Sequence, residues 1–359
     1  RALFLITFKE KNMNWNNKTL MRKLSIIGIA LGVLWSSNGL ASESLKPLNP
    51  PEKVTVAYVP IMKFATIYVA HSRKLFEKYG LDVTLRRVKS GTEAIAFLSE
   101  GKIDVGGIAI VTSLWNGWSR GLDLRIIAPG GLEPMENSPT ALIARADLMA
   151  NGSIKSVQDL KGMRIGVAGG PGSGGEYLLT KALQQGEMML NDIQKVKIGN
   201  ADMPKALANQ SIDAALTGPP YTTQSINDGH AKVLASDLAP GLMTVAFVGS
   251  GKFVNQRADV AERFVLALGE AARLMQGDDF LDDENIKAYM KNTNTTEKAL
   301  RTGKKLIYDP NIVIPVAGLK DIESVHRLNG RTEYTTELNL NNAVDARFTK
   351  RALGILGNY

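Results

Sequence analysis

Short runs of β-branched and apolar residues alternate along the chain with stretches whose apolar residues recur at helical spacing. VTVAYVP (Val54–Pro60) predicts a strand, and IYVAHSRKLFEKYG (Ile67–Gly80) predicts a helix that ends at its glycine. LDVTLRRV, SGTEAIAFLSEG and KIDVGGIAI continue the alternation as strand, helix and third strand. Because this order is β–α–β–α–β, we expect a parallel sheet with helices on both faces.

The same alternation then starts again. RIGVAGG predicts a strand followed by the helix SGGEYLLTKALQQG, and DIQKVKIG, MPKALANQS and IDAALTG predict strand, helix and strand. From MTVAFVGS onward the pattern is mostly helical. We therefore predict an α/β protein of two lobes, with residues 53–137 and 244–359 in the first lobe and residues 138–243 in the second.

The N-terminal region predicts an export leader. The short basic segment Met21–Lys23 precedes a mainly apolar segment of twelve residues, Leu24–Trp35, and small residues then predict cleavage after Ala41. The apolar run is shorter than the ~20 residues that a membrane-spanning helix needs. We expect residues 1–41 to lie outside the fold, translation to start at Met13 or Met21, and residues 42–52 to form an extended linker.

Charge and cysteine usage narrow the classes of function. Residues 1–41 contain six basic side chains and one acid, so the formal charge of +8 leaves 37 basic and 34 acidic residues in the rest. The sequence has no long basic stripe with interleaved aromatic residues, and this disfavours a nucleic-acid partner. The chain has no cysteine and only three widely separated histidines, which disfavours disulfides, thiolate chemistry and metal sites. We predict no metal and no cofactor.

Two polar, glycine-bearing turns stand between a predicted strand and a predicted helix. Gly170–Gly175 matches G-x-G-x-x-G, but no suitably placed acid follows, which disfavours a dinucleotide. Free backbone N–H groups of a helix beginning near Ser173 or Gly174 suit an anion or a polar oxygen. Ser90-Gly91-Thr92 offers the same arrangement in the first lobe, while plain helix capping remains the alternative for each turn.

Other residues in the loops after the strands have two possible roles each. Phe64 and Tyr221 suit stacking on a planar ligand or simple anchoring of a loop. Lys63 suits an anion or plain solvation, and Glu136 and Glu176 suit an amine or helix capping. No nucleophile elbow, HExxH motif or other local catalytic motif is present.

These segments together resemble a known family. YVPIMKFATIYVAHSRKLFEKYGLDVTL, KSGTEAIAFLSEGKIDVG, SIKSVQDLKGMRIGVAGGPGS and ADMPKALANQSIDAALTGPPYTTQ are similar to blocks of substrate-binding proteins of nitrate/sulfonate/taurine-type ABC importers. Those proteins are related to thiamine-pyrimidine-precursor binders. The resemblance covers about residues 53–245 and departs in the loop Met62–Thr66, where relatives often carry a proline after an alanine.

The resemblance implies a type II periplasmic binding protein, with two α/β lobes, a two-strand hinge and a ligand between the lobes. The family's ligand contacts carry over by position, and the turns and loops above add the neighbouring Thr92, Glu176 and Tyr221. The complete set of expected ligand-binding residues is Lys63, Phe64, Ser90, Gly91, Thr92, Ile110, Val111, Thr112, Ser173, Gly174, Gly175, Glu176, Gly218, Pro219 and Tyr221.

The resemblance further implies a monomeric periplasmic receptor that binds a small anionic or planar polar solute, such as a sulfonate, nitrate or a pyrimidine-like compound. Its expected partners are an inner-membrane ABC permease and its ATPase. The alternative is an enzyme of the same fold, similar to the yeast-type pyrimidine synthase of thiamine biosynthesis. That enzyme depends on a cysteine-rich iron-binding segment, which this sequence lacks.

Overall fold

The computed structural model describes residues 45–359. The predicted leader, its cleavage site and both candidate start residues lie outside this range. Within it, no helix combines the length and apolar character needed to cross a bilayer.

Ten strands form two separate five-stranded sheets. The first sheet has the order β2–β1–β3–β10–β4, and the second has the order β7–β6–β8–β5–β9. We call each sheet with its covering helices a lobe. The presence of two such sheets confirms the predicted two-lobed α/β fold. The strands are β1 (Glu52–Tyr58), β2 (Leu81–Arg87), β3 (Val105–Ala109), β4 (Leu124–Pro129), β5 (Ala141–Arg145), β6 (Arg164–Val167), β7 (Gln194–Lys197), β8 (Ala214–Thr217), β9 (Ala231–Ala235) and β10 (Val245–Ser250).

The strand directions correct the expectation of a parallel sheet. β1 pairs in parallel with β2 and β3, and β6 pairs in parallel with β7 and β8. In the first lobe β10 runs antiparallel to β3 and β4, and in the second lobe β5 runs antiparallel to β8 and β9. Both antiparallel strands follow a segment that has just crossed from the other lobe, so they enter their sheet from the opposite end.

Fourteen α-helices of the described chain cover these sheets. They are α1 (Ala65–Ser72), α2 (Leu75–Lys78), α3 (Gly91–Ser99), α4 (Thr112–Ser119), α5 (Ala146–Ala150), α6 (Gly174–Gln184), α7 (Met203–Ala208), α8 (Tyr221–Asn227), α9 (Gly251–Gln256), α10 (Ala258–Arg273), α11 (Asp283–Thr293), α12 (Glu297–Thr302), α13 (Ala317–Leu328) and α14 (Arg347–Leu356).

The single helix predicted over Ile67–Gly80 is two helices. Lys74 between them has a left-handed backbone, with φ of 55°. The break lets Leu75 and Phe76 bury their side chains, and the Phe76 ring stacks on Phe264 of α10 with centroids 5.3 Å apart. Neither glycine nor proline marks this break, which is why the pattern of apolar residues missed it.

Two segments, residues 130–140 and 236–244, connect the sheets and lie against each other. The Glu133 N–H donates to the Leu242 carbonyl at 3.0 Å, and the Gly241 N–H donates to the Glu133 carbonyl at 3.1 Å. A paired crossing of this kind acts as a hinge between two lobes.

The helices after β10 do not stay on one lobe. The Ile126 N–H donates to the Ala343 carbonyl in the first lobe, at 2.8 Å. Tyr177 of α6, in the second lobe, donates its hydroxyl to Asp321 of α13 at 2.6 Å. The C-terminal region is therefore a third connection between the lobes.

Candidate functional site

A cavity of about 1030 Å³ lies between the lobes, at the ends of the strands where the predicted loops meet. In open α/β sheets, ligands bind beyond the carboxyl ends of the strands. Most of the predicted ligand-binding residues line this cavity: Lys63, Phe64, Ser90, Gly91, Thr92, Val111, Thr112, Ser173, Gly174, Gly175, Gly218 and Pro219.

The first lobe contributes the start of α3. Ser90 precedes the helix in extended backbone, and its hydroxyl accepts the Glu93 N–H at 3.3 Å. The N–H groups of Gly91 and Thr92 have no hydrogen-bond partner within residues 45–359. The first turn of α3 therefore brings unpaired donors to the cavity wall, as the sequence predicts.

The second lobe contributes the glycine-rich turn before α6. Gly169, Gly170 and Gly172 have φ values of 83°, 75° and 71°, a region that side chains other than glycine rarely occupy. Ser173 then caps α6, and its hydroxyl accepts the Glu176 N–H at 3.1 Å. The next two N–H groups, at the start of α6, also have no partner in the described chain.

The lobes contact each other directly on both sides of the cavity. On one side, Thr112 at the start of α4 donates its N–H and its hydroxyl to the Gly172 carbonyl, at 2.8 and 3.0 Å. On the other side, the Met62 N–H donates to the Pro219 carbonyl at 3.2 Å, and the Tyr221 hydroxyl lies 2.9 Å from the Pro60 carbonyl. These bonds hold the two lobes together beside the cavity.

Lys63 borders the cavity, but its charge is already balanced. Its ammonium group forms an ion pair with Glu133, which is 1% exposed, and donates to the Thr244 hydroxyl at 2.7 Å. The other carboxylate bonds of Glu133 come from the hydroxyls of Ser138, at 2.6 Å, and Thr140, at 2.9 Å. The lysine therefore ties the first loop to both hinge segments and is not simply solvated, and its contact with a ligand stays a prediction.

Three predicted residues do not line the cavity. Ile110 is fully buried in the apolar core between its sheet and helices. Glu176, also fully buried, accepts the Gly172 N–H at 2.7 Å and two N–H groups of Arg331 at 2.8 Å, so it is not free for an amine. The Tyr221 hydroxyl lies 2.8 Å from the Thr293 carbonyl, and burial raises the pKa of Tyr221 to about 12.

Phe64, the other aromatic residue considered for stacking on a ligand, is also buried. Phe64 borders the cavity with no exposed surface, because its ring packs edge-on against Phe247 at 5.7 Å. A side chain at Gly107 would come within 3.0 Å of that ring, so the glycine leaves room for it. Phe64 thus anchors the loop in the core of the first lobe.

Several polar residues of the cavity wall are not among the predicted ligand-binding residues. Thr217 ends β8, so the rule that ligands bind beyond strand ends points to it directly. Its buried hydroxyl has no partner in the described chain, which leaves it available to a bound molecule. The other polar wall residues outside the predicted set are Lys89, Glu93, Ser113, Asn116, Thr140, Lys197, Asn200, Asp202 and Thr244.

The wall of the cavity offers hydrogen-bond donors at two helix starts. Unpaired N–H donors from the first turns of α3 and α6, at the positive ends of their helix dipoles, favour a negatively charged or electron-rich oxygen. Within residues 45–359, no group of three or more His, Cys, Asp or Glu side chains is arranged to hold a metal ion.

Comparisons with known proteins agree with this architecture. A Brucella abortus (strain 2308) protein named as a candidate binding protein is 28% identical over 207 residues, which are 56% of this chain and 60% of that protein. The chain thus spans about 60% of the length of the curated relatives that it matches.

Two solved structures share the fold. The alkanesulfonate-binding protein SsuA of Xanthomonas axonopodis pv. citri, bound to MOPS, gives a TM-score of 0.66 at 18% identity, over 82% of this chain and 99% of that one. The periplasmic nitrate-binding protein NrtA of Synechocystis PCC 6803 gives 0.72 at 13% identity, over 86% and 89%. Since the model of the NMT1-like family matches residues 48–292, well over half of the sequence, the chain belongs to the NMT1-like family and has the two-lobed fold of periplasmic binding proteins.

Proposed function

We propose that this protein is the solute-binding component of an ABC importer, and that it holds a small organic anion between its lobes without transforming it. The observation that carries the proposal is the cavity wall itself. Unpaired N–H groups from Gly91 and Thr92 in one lobe, and from Gly174 and Gly175 in the other, lie along the wall of one cavity.

The size and lining of the cavity favour an organic sulfonate among the solutes that the sequence suggests. A volume of about 1030 Å³ is slightly above the ~300–1,000 Å³ typical of pockets for drug-sized ligands. Nitrate would leave most of this space to water. A pyrimidine-like ligand would gain little from stacking, because Phe64 is the aromatic residue of the described lining and is fully buried. MOPS, the ligand of the Xanthomonas protein, is itself an organic sulfonate.

The proposed mechanism is closure on the ligand. A solute that bonds to both lobes has a higher affinity for the closed arrangement than for an open one, so its binding shifts the population toward closure. In this proposal the first lobe comprises residues 53–137 and 244–359, and the second comprises residues 138–243. The expected partners are a membrane permease and its ATPase, and the protein acts as a periplasmic monomer.

Fluorescence titration of the protein with aliphatic sulfonates, nitrate and pyrimidines tests the proposal. We expect saturable binding of an aliphatic sulfonate, with recovery of unchanged ligand after prolonged incubation. Failure of every anion to bind would contradict the proposal. Turnover of a bound pyrimidine would instead support the alternative, an enzyme of the same fold.

A pair of variants at one glycine tests the role of the unpaired N–H groups. Gly91 is the first residue of α3, where proline is tolerated, and Ser90 before it has the extended backbone that a following proline requires. Gly91→Pro removes one donor, while Gly91→Ala adds a Cβ with ordinary contacts of 3.5 Å or more and keeps the donor. We expect Gly91→Pro to weaken sulfonate binding about tenfold relative to Gly91→Ala. Equal affinities would show that this N–H group does not hold the ligand.

A further inference from the structure

His326 lies on α13, far in sequence from every predicted ligand-binding residue, yet it joins both lobes. The side chain is fully buried. The indole N–H of Trp115, on α4 of the first lobe, donates to His326 Nδ1 at 2.9 Å. On the other side of the ring, Nε2 lies 3.3 Å from the carbonyl oxygen of Ser173, the residue that caps α6 in the second lobe.

These contacts define the protonation state of the ring. The indole N–H can only donate, so Nδ1 must be an unprotonated acceptor. The ring proton then sits on Nε2 and is donated to the Ser173 carbonyl, which also accepts the Tyr177 N–H at 3.1 Å. A second ring proton on Nδ1 would face the indole N–H, so the neutral imidazole fits this place and the imidazolium does not.

The groups around the ring offset a positive charge only in part. Glu176 of α6 faces the ring but is already paired with Arg331, and Tyr177 packs edge-on at 6.3 Å. On α13 itself Glu323 is paired with Arg327, and α4 carries no charged side chain. Burial lowers the pKa of His326, and this outweighs the opposing effects of the Ser173 bond and of Glu176.

The chain of contacts from Trp115 through His326 to Ser173 ends at the cavity wall. Ser173 lines the cavity, and the unpaired N–H groups of Gly174 and Gly175 follow it directly. The same α4 helix holds the turn a second time, through the bonds from Thr112 to Gly172. The direct bonds from Thr112 and the connection from Trp115 through His326 thus fix where the second lobe presents its donors.

We propose that neutral His326 is a positioning residue of the ligand site, which holds the start of α6 against the first lobe, and that protonation of its ring releases this turn and weakens ligand binding. The inference rests on the proposed function, because the quantity it controls is ligand affinity. Since the ring keeps its neutral form to lower pH than free imidazole does, the loss of affinity begins below the ordinary histidine pKa of about 6.5.

The test uses 1-butanesulfonate, whose charge is constant between about pH 8 and pH 5, where histidine titrates. We expect the dissociation constant of the wild-type protein to rise about three- to tenfold over this range. In H326Q the amide can still accept from Trp115 and donate to Ser173, so binding should be stronger than in H326L and independent of pH. His230→Gln is the matched control and should keep the wild-type pH profile. Identical profiles for wild type and H326Q would overturn the proposal.

An NMR titration with pH tests the positioning role of His326 even if 1-butanesulfonate does not bind. With three histidines in the chain, H326Q identifies the ring signals of His326. We expect the tautomer with the proton on Nε2 at neutral pH, and shifts of the Gly174 and Gly175 amides that follow the titration of this ring. Amide signals that stay unchanged while His326 titrates would overturn the positioning role. Absence of butanesulfonate binding at every pH would count against the proposed ligand class alone.

Discussion

The two glycine-bearing turns of the cavity look alike in sequence but are held in different ways. In each, a serine caps a helix and accepts the N–H of a glutamate three residues later. Around α3, the glutamate side chain returns to its own turn, where Glu93 accepts the Lys89 N–H at 2.8 Å. Beyond these local bonds, the Thr92 hydroxyl lies 3.3 Å from the Ser113 hydroxyl, so the contacts of this turn stay within the first lobe.

The turn before α6 depends on distant parts of the chain. Glu176 accepts the Gly172 N–H, as Glu93 accepts that of Lys89, but it is also paired with Arg331. The Gly172 carbonyl accepts two bonds from Thr112 in the other lobe. Two turns with the same sequence pattern can therefore differ in their partners: the turn before α3 bonds within its own lobe, whereas the turn before α6 also bonds to the opposite lobe.

The largest effect is expected from Arg331→Ala. This change leaves the fully buried carboxylate of Glu176 without its cation, and breaking such a pair costs about 3 kcal/mol of the free energy of unfolding. The matched control is Arg120→Ala, which breaks an exposed pair with Glu333 and should cost about 1 kcal/mol or less. Urea unfolding measures both, and equal losses would contradict the difference between the turns.

A smaller effect is expected from Gly172→Ala. A Cβ at this position would lie 2.2 Å from the Thr112 hydroxyl oxygen. Gly101→Ala is the control, because Gly101 has nearly the same φ, 69°, and nothing within 4 Å. We expect Gly101→Ala to cost about 1 kcal/mol for its left-handed backbone. Gly172→Ala should cost about 1–2 kcal/mol more for overpacking.

The affinity for a sulfonate gives a second measurement on the same two variants. Gly172→Ala forces the lobes apart, so it should also weaken sulfonate binding, whereas Gly101→Ala should not. Titration of both variants checks this, and unchanged affinity in Gly172→Ala would mean that the contact with Thr112 does not accompany ligand binding.

The smallest effect is expected from the two capping serines. Ser90→Ala loses one cap bond and should cost about 1 kcal/mol. Ser173→Ala loses its cap bond and also the hydroxyl bond to the Ala168 carbonyl, at 2.8 Å, so we expect about 2 kcal/mol. Thermal or urea unfolding of the two variants gives the difference. Equal losses would indicate that the second serine also acts as a plain cap.

Much of the fold and part of the site follow from local sequence. The alternation of apolar runs predicts the strands and helices of both lobes, because each element has to bury one face. The glycines at 169, 170 and 172, with the serine that follows, predict a turn with free donors, since backbone geometry and helix capping are local. These donors are present at the cavity.

Other parts of the site could not be predicted in this way. The direction of β5 and β10 depends on which lobe the chain has just left. The roles of Lys63 and Glu176 depend on Glu133 and Arg331, partners that lie 70 and 155 residues away. A side chain between apolar neighbours looks the same in sequence whether it is solvated, paired or facing a ligand.

Neighbouring residues are enough to predict most strands, helices and glycine-bearing turns of this chain, because these are local structures, and the break at Lys74 is an exception. The pairing of charges and the bonds between the turn before α6 and the opposite lobe depend on contacts between distant parts of the chain. The same holds for the place of His326 between Trp115 and Ser173. The physical reason is that hydrogen bonds and ion pairs depend on distance in space, and folding alone brings these groups together.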